Sequence, residues 1–280
     1  MKLLIAGCGY LGTALAEHFA QKGNEVWGLR RGAPPRGDSK FYPITADLLD
    51  PKTLKGLPVV DTVIFCQAPK RGVDNYRDTY FEATKNLLSV LKREGRPQRI
   101  IFISSTSVYG TRDGSWVDET TPPAVQGYAT PQEESQAKIL LDTEDLVRSS
   151  GFSPIIFRLG GIYGPGRHRL RLLKEGKIQP SFSNAYVNRI RLEDIVAGAE
   201  LLLNKGKGGQ VYLGVDDEPV TQKEFYSWIA RELCMNISNG RDAETFSGKR
   251  CSNKRIKELG MKFQYPTFRE GYQDLLKEAL

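Results

Sequence analysis

The chain has 280 residues, 40% of them hydrophobic and 26% charged, with a formal net charge of +7. Such a composition can bury a sizeable core in one large or two modest domains. No apolar run is long enough to cross a bilayer, and His18 and His168 are the only histidines, which excludes a multi-histidine metal site.

The first element predicted is a strand at Lys2-Leu3-Leu4-Ile5-Ala6, which runs into Gly7, Gly9 and Gly12 in the spacing G-x-G-x-x-G. A helical pattern starts at Leu11. Gly7 permits a tight turn, Gly9 lets a pyrophosphate approach the backbone, and Gly12 lets helix and strand pack closely. The exposed N–H groups at the helix start then favour phosphate. From this loop Gly7, Gly9, Tyr10, Leu11 and Gly12 are expected to contact a dinucleotide. The apolar stretch before it is too short for a signal peptide. Cys8, Cys66, Cys234 and Cys251 form no C-x-x-C pair, as expected of reduced thiols in a cytoplasmic protein.

Further strands are predicted at Glu25–Leu29, Phe41–Ile44, Asp61–Cys66, Arg99–Ile103 and Pro154–Arg158. Helices are predicted over Asn75–Glu94, with Phe81, Thr84, Leu87, Leu88 and Leu91 on one face, and over Gln132–Ser149. Alternating strands and helices, with continuous apolar strands, predict an α/β fold: a Rossmann-type, doubly wound parallel sheet. Residues 1–160 form the expected nucleotide domain and 161–280 a smaller, interleaved substrate part, with a segment near 187–215 returning to the sheet. Ligands should then bind beyond the carboxyl ends of the strands.

The end of the second strand faces the adenosine ribose in this architecture. An acidic residue about 20 positions after the glycines would bond the 2′-hydroxyl of NAD. Here Arg30 and Arg31 stand at that point. Guanidinium groups grip a 2′-phosphate, which a carboxylate would repel. NADP is therefore the expected cofactor, with NAD the second choice.

Several segments, in order, resemble the extended short-chain dehydrogenase/reductases of the NAD-dependent epimerase/dehydratase superfamily. They are the Gly7 loop, Ala46–Leu49, Ser104–Gly110, Arg158–Gly166 and Arg191–Ile195. Ser105–Gly110, Gly164–His168 and Phe263–Pro266 look closest to an atypical bacterial branch, the YeeZ-like proteins. The resemblance implies that Asp47 and Leu48 contact adenine, that Ala68 lies against the nicotinamide-side ribose and phosphates, and that Ser105 polarises a substrate oxygen. It also implies a Tyr-x-x-x-Lys pair on the following helix, where the lysine lowers the tyrosine pKa and makes the phenolate a general base. No such pair occurs between Gly110 and Gly151. With Lys138 as the lysine, the tyrosine position holds Glu134; with the register fixed by Glu144–Val147, the positions hold Gln136 and Leu140. Tyr128 on a nearby loop and Glu134 are the two substitutes for the base. Alternatively, Glu134 and Lys138 form an i,i+4 surface pair.

In the second half, Arg167, His168, Arg169, Arg171, Lys174 and Lys177 form one basic cluster, and Lys249, Arg250, Lys254, Arg255 and Lys257 another. By resemblance they suit a small anionic substrate such as a nucleotide-linked sugar; otherwise they are solvated faces. No interleaved aromatic platform is legible to favour nucleic acid. Gly161 and Arg191 stand where many sugar-modifying relatives carry Asn and His. Thr221 and Glu224 have the spacing of a capping box. The resemblance allows a homodimer through the helices at 75–94 and 132–149. The expected function is an NADP-preferring oxidoreductase or epimerase on an anionic polyol or nucleotide-sugar. The alternative is a non-catalytic NADP(H)-binding sensor or scaffold.

Overall fold

A computed structural model of the chain describes residues 1–32, 40–70, 75–94, 97–123, 128–168, 170–235 and 245–279. Arg169 of the first basic cluster lies outside them. The elements in chain order are β1 (Lys2–Ala6), α1 (Tyr10–Gln21), β2 (Glu25–Arg30), β3 (Phe41–Thr45), β4 (Thr62–Phe65), α2 (Ala83–Glu94), β5 (Arg99–Ser105), β6 (Asp113–Val117), α3 (Pro131–Arg148), β7 (Ile155–Leu159), β8 (Gly161–Tyr163), α4 (Leu170–Lys174), β9 (Ala185–Val187), β10 (Arg189–Arg191), α5 (Leu192–Lys205), β11 (Val211–Gly214), β12 (Val220–Thr221), α6 (Gln222–Glu232), β13 (Ser247–Cys251), α7 (Lys254–Glu258) and α8 (Phe268–Ala279).

Seven strands form one sheet in the order β11-β7-β5-β4-β1-β2-β3. Pairings from β3 through β5 are parallel. The bonds Ile156 N to Gln210 O and Gly160 N to Gly214 O advance in step, as a parallel β7–β11 pair requires. The order reverses between β1 and β4, so the crevice expected of a doubly wound sheet opens beside the ends of these strands. Pro43 sits in β3, the edge strand, where a missing N–H costs no central ladder bond.

The core explains the strand sequences. Leu3, Leu4, Ile5 and Ala6 of β1 and Val63, Ile64 and Phe65 of β4 are fully buried, because both sheet faces are covered. Leu87, Leu88 and Leu91 of α2 pack in the same cluster as Phe65 and Phe102. Gly28 in β2 is required by space: a Cβ there would meet Phe41 at 2.4 Å and Cys8 Sγ at 2.5 Å.

The helix predicted from Asn75 is not uniformly α-helical. Asp78–Glu82 form a π-helical segment before α2 begins. The apolar spacing that predicted the helix does not register this wider turn. At α3, Thr130 Oγ1 accepts from Glu133 N and Pro131 opens the first turn. The Thr221–Glu224 capping box forms at α6.

Two compact units divide the chain. The first comprises Met1–Val108, Ala129–Arg158 and Ala199–Val211; the second comprises Tyr109–Tyr128, Leu159–Gly198 and Tyr212–Leu280. The division expected at 160 therefore falls at Arg158/Leu159, but residues 109–128 join the second unit, and the returning segment is 199–211. The second unit contains the two-stranded sheet β10-β8 and the four-stranded sheet β12-β9-β13-β6. Phe225, Ile229, Phe268, Tyr272 and Leu275 pack in its apolar core.

Candidate functional site

The glycine loop closes against the two neighbouring strands. Gly7 N and Cys8 N both donate to Leu29 O, at 3.0 and 2.9 Å, which ties the loop to the end of β2. Gly7 has φ +100°, and a Cβ on it would meet the Gln67 backbone N at 2.5 Å, just past β4. A Cβ on Gly12 would lie 2.2 Å from Gly7 O. A Cβ on Gly9 would meet nothing within 4 Å. Gly9 is also the N-cap of α1, whose first turn carries no acidic residue.

These features fit a dinucleotide. The loop is closed wherever the protein packs on itself and open at the one glycine where phosphate would approach. The first-turn N–H groups of α1 lack intrahelical acceptors and carry the positive end of the helix dipole. Leu11 and Gly12 are buried, so their contribution to a ligand comes from backbone; Tyr10 is half-buried beside them.

The other candidates from the cofactor side lie at strand ends of the same unit. Arg30 is half-buried at the end of β2 and Arg31 exposed just after it. Asp47 follows β3, where its carboxylate accepts from Leu49 N at 2.9 Å. Leu48 is buried, and its carbonyl accepts from Asn86 Nδ2 at 2.9 Å. Ala68 is exposed beyond β4. Ser105 ends β5, and its Oγ accepts from Ser107 N at 3.1 Å.

Glu144 on α3 fixes how this helix faces the sheet. It is fully buried and accepts from Arg158 Nη2 at 2.6 Å, Arg158 Nε at 2.9 Å and Ser104 Oγ at 2.7 Å. Positions 136, 140 and 144 share a helix face. Leu140 is fully buried and Gln136 half-buried. A crossover helix runs antiparallel to the strands it connects, so Gln136 lies nearer the carboxyl end of β5, where Ser105 sits. At positions 136 and 140 this face carries an amide and an isobutyl group.

Glu134 and Lys138 lie elsewhere on the helix. Both are exposed, and Lys138 Nζ pairs with Asp142 at 3.0 Å. The surface pair read for Lys138 therefore exists with a different partner. Tyr128 is half-buried at the end of a segment of the second unit. Of the four catalytic candidates, Ser105 alone ends a strand of the sheet at the carboxyl side.

Sequence reading missed the Ser104–Glu144–Arg158 cluster. Its signal was an arginine closing an otherwise apolar central strand, Pro154–Arg158, which requires a buried counter-charge. Around the loop, burial pushes the Cys8 thiol up to about 12 and raises Cys66 well above the usual range. These are packing thiols.

The basic clusters of the second unit are largely paired internally. Arg171 and Lys177 both contact Glu175, at 2.8 Å each. Lys257 pairs with Asp217 at 3.0 Å and Arg255 lies 3.7 Å from Glu119. Lys249 Nζ donates to Tyr109 O. Arg191 is 1% exposed and bonded to Glu193, Asp274 and the Gly271 carbonyl, so it holds β10 to α8. Asp194, also buried, accepts from Gln264 N and Tyr265 N.

Comparisons with known proteins agree with this geometry. Residues 3–217 match the model of the NAD dependent epimerase/dehydratase family. Protein YeeZ of Escherichia coli K12 is 33% identical over 276 residues, covering 95% of this chain and 96% of YeeZ. A 2-alkyl-3-oxoalkanoate reductase of Shewanella oneidensis is 25% identical over 244 residues, covering 79% of this chain and 63% of the reductase. The structure of a proposed NAD-dependent epimerase/dehydratase from Methylobacillus flagellatus superposes with a TM-score of 0.83 at 32% identity, covering 99% of this chain and 98% of the other. The glycine cradle, the sheet order and these matches together place the chain in the NAD-dependent epimerase/dehydratase family.

Proposed function

We propose that this protein is an NADP(H)-preferring oxidoreductase or epimerase acting on a small anionic hydroxyl or carbonyl compound, a polyol or nucleotide-linked sugar among them. The observation that carries the reading is the cradle beside the β1–β4 reversal, with open space over Gly9 and two arginines where β2 ends. Gly7, Gly9, Tyr10, Leu11 and Gly12 would hold the pyrophosphate, Arg30 and Arg31 the 2′-phosphate, and Asp47 and Leu48 the adenine. Ala68 would lie along the nicotinamide side. The nicotinamide supplies hydride transfer when bound. Ser105, oriented by Ser107 N, would donate a hydrogen bond to a substrate oxygen and polarise it. The oxoalkanoate named for the Shewanella reductase is itself an anionic carbonyl compound.

A second reading, a non-catalytic NADP(H) sensor, draws on Gln136 and Leu140. General acid–base assistance typically supplies about 10²–10⁴-fold in rate, and this helix face provides none. Tyr128 and Glu134 are the residues that would have to supply it.

Calorimetry with NADPH and NADH tests the cofactor. NADPH should bind about tenfold or more tightly, the worth of a charge-assisted hydrogen bond; equal or tighter NADH binding refutes the arginine assignment. NADPH consumption over anionic carbonyls, repeated with Ser105→Ala, then separates the two readings. Turnover that collapses in the variant supports the enzyme, and tight binding without turnover supports the sensor.

A further inference from the structure

The four-stranded sheet of the second unit carries a ladder of flat side chains. In register, Trp116 of β6 lies opposite Arg250 of β13, and Tyr186 of β9 opposite Gly248. The Arg250 guanidinium stands 5.1 Å from the Trp116 ring and 5.0 Å from the Tyr186 ring. Tyr186 in turn stacks on Phe246 at 5.6 Å and 19°. Gly114, with φ +78°, clears space for this: a Cβ there would lie 3.2 Å from the Tyr186 ring. Arg250 Nε donates to the Gly114 carbonyl at 2.8 Å, which fixes the guanidinium plane.

Packing accounts for the middle of the ladder but not for its ends. Trp116 is 54% exposed and Phe246 55%. Among the described residues Arg250 forms no ion pair, whereas its neighbours Lys254, Arg255 and Lys257 each face a carboxylate. Asp113 is registered opposite Gly248 on the same strand pair, with its carboxylate accepting from Ser115 N at 2.9 Å. An occupant must therefore bring flat π-faces to two separated rings and negative charge to the cation held between them.

We propose that this sheet face binds single-stranded nucleic acid, with bases stacked on Trp116 and Phe246 and the backbone drawn to Arg250. Base–aromatic stacking and cationic tracking of the backbone are the two terms such binding uses. Two exposed rings at opposite ends of the ladder call for successive bases, which a polymer supplies and a free nucleotide does not. The chain's net charge of +7 favours the approach of a polyanion. No contiguous motif announced the platform, because its members come from three distant strands and the residue preceding one of them.

Fluorescence anisotropy of a labelled oligouridylate of about 12 nucleotides, titrated with the full chain at about 50 and 200 mM salt, tests this. Binding should weaken with salt. Trp116→Ala and Phe246→Ala should each cost about 5- to 150-fold, the range measured per stacked base, while Trp116→Phe retains most of the affinity. Arg250→Gln should lower the salt slope, and Asp113→Asn should tighten binding. Each variant is first checked for an unchanged thermal transition and NADPH affinity. The proposal is overturned if no salt-dependent binding occurs, or if binding is indifferent to Trp116→Ala, Phe246→Ala and Arg250→Gln. It is likewise overturned if uridine monophosphate or an acidic peptide competes as well as unlabelled oligomer.

Discussion

At Gly9 and Gly12 the missing methyl group serves two different ends, and substitution separates them. Gly12 faces its own loop, with Gly7 O at 2.2 Å from a would-be Cβ, so Gly12→Ala must displace backbone. Overpacking of this kind costs about 1–3 kcal/mol or more, and the loop geometry is lost with it. Gly9→Ala adds a methyl to open space, so its stability should fall only by about 1 kcal/mol, the loss of Ala against Gly at an N-cap, less than for Gly12→Ala, while NADPH binding weakens. Thermal melts and calorimetry on both variants check this; a Gly9→Ala protein that binds NADPH normally removes the cradle from Gly9. The thiols give a second residue-scale prediction. Cys8, pushed up to about 12, and Cys66, raised well above the usual thiol range by burial, are protonated at pH 8, and both are buried. Cys234 is exposed. A thiol-reactive dye at pH 8 should label Cys234 in the native protein at least about tenfold faster than Cys8 or Cys66, since only the thiolate reacts. Rapid labelling of Cys8 would show that the loop opens.

Single elements carry the arrangement of the candidate active site, and α3 is the clearest case. The helix over Gln132–Ser149 was legible, but its Thr130 cap was not read, nor was which residues face β5, because Glu134/Lys138 and Gln136/Leu140 give equally good helical patterns. Burial decides between them through Glu144, which shares a face with buried Leu140 but whose charge alone would suggest solvent. Removing its charge takes from Arg158, 3% exposed at its side chain, the carboxylate that accepts from both its Nε and its Nη2. Glu144→Ala should then cost about 3–5 kcal/mol, a fall in Tm of roughly 10 °C for a chain of this size. Replacing both partners by Met should recover much of that loss, since the burden is a buried guanidinium deprived of this carboxylate. Denaturant titration of the single and double variants measures it, and a loss below about 1 kcal/mol for Glu144→Ala would mean that water reaches the pair. The π-helical turn at Asp78–Glu82 shows the same limit of periodicity: of the predicted stripe, Phe81 falls in the wider turn and outside the buried cluster, against which Tyr80 packs instead.

Over the whole molecule, legibility follows the distance between partners in sequence. The strands from β1 to β7 of the large sheet read directly, because each is a short apolar run whose neighbours lie within a few tens of residues. The four-stranded sheet of the second unit did not read, because β6 finds its partner β13 more than a hundred residues later, and Trp116 and Arg250 meet only through that pairing. The cofactor candidates avoid this difficulty. Every one of them sits in the first unit, at or beyond the end of a parallel strand or at the start of the helix after it, which is where a doubly wound sheet gathers its ligand contacts. Ligand binding to the folded state at about a hundred times Kd adds roughly 2.7 kcal/mol of stability. NADPH at that level should therefore raise Tm by about 5–10 °C, and NADH at the same concentration by less. Hydrogen exchange locates the effect: protection should concentrate at 7–12, 30–31, 47–48, 66–68 and 104–106, and leave β6 and β13 unchanged. NADPH that stabilises the chain while leaving 7–12 unprotected would place the coenzyme somewhere other than the glycine loop. The open space over Gly9 would then need a different occupant.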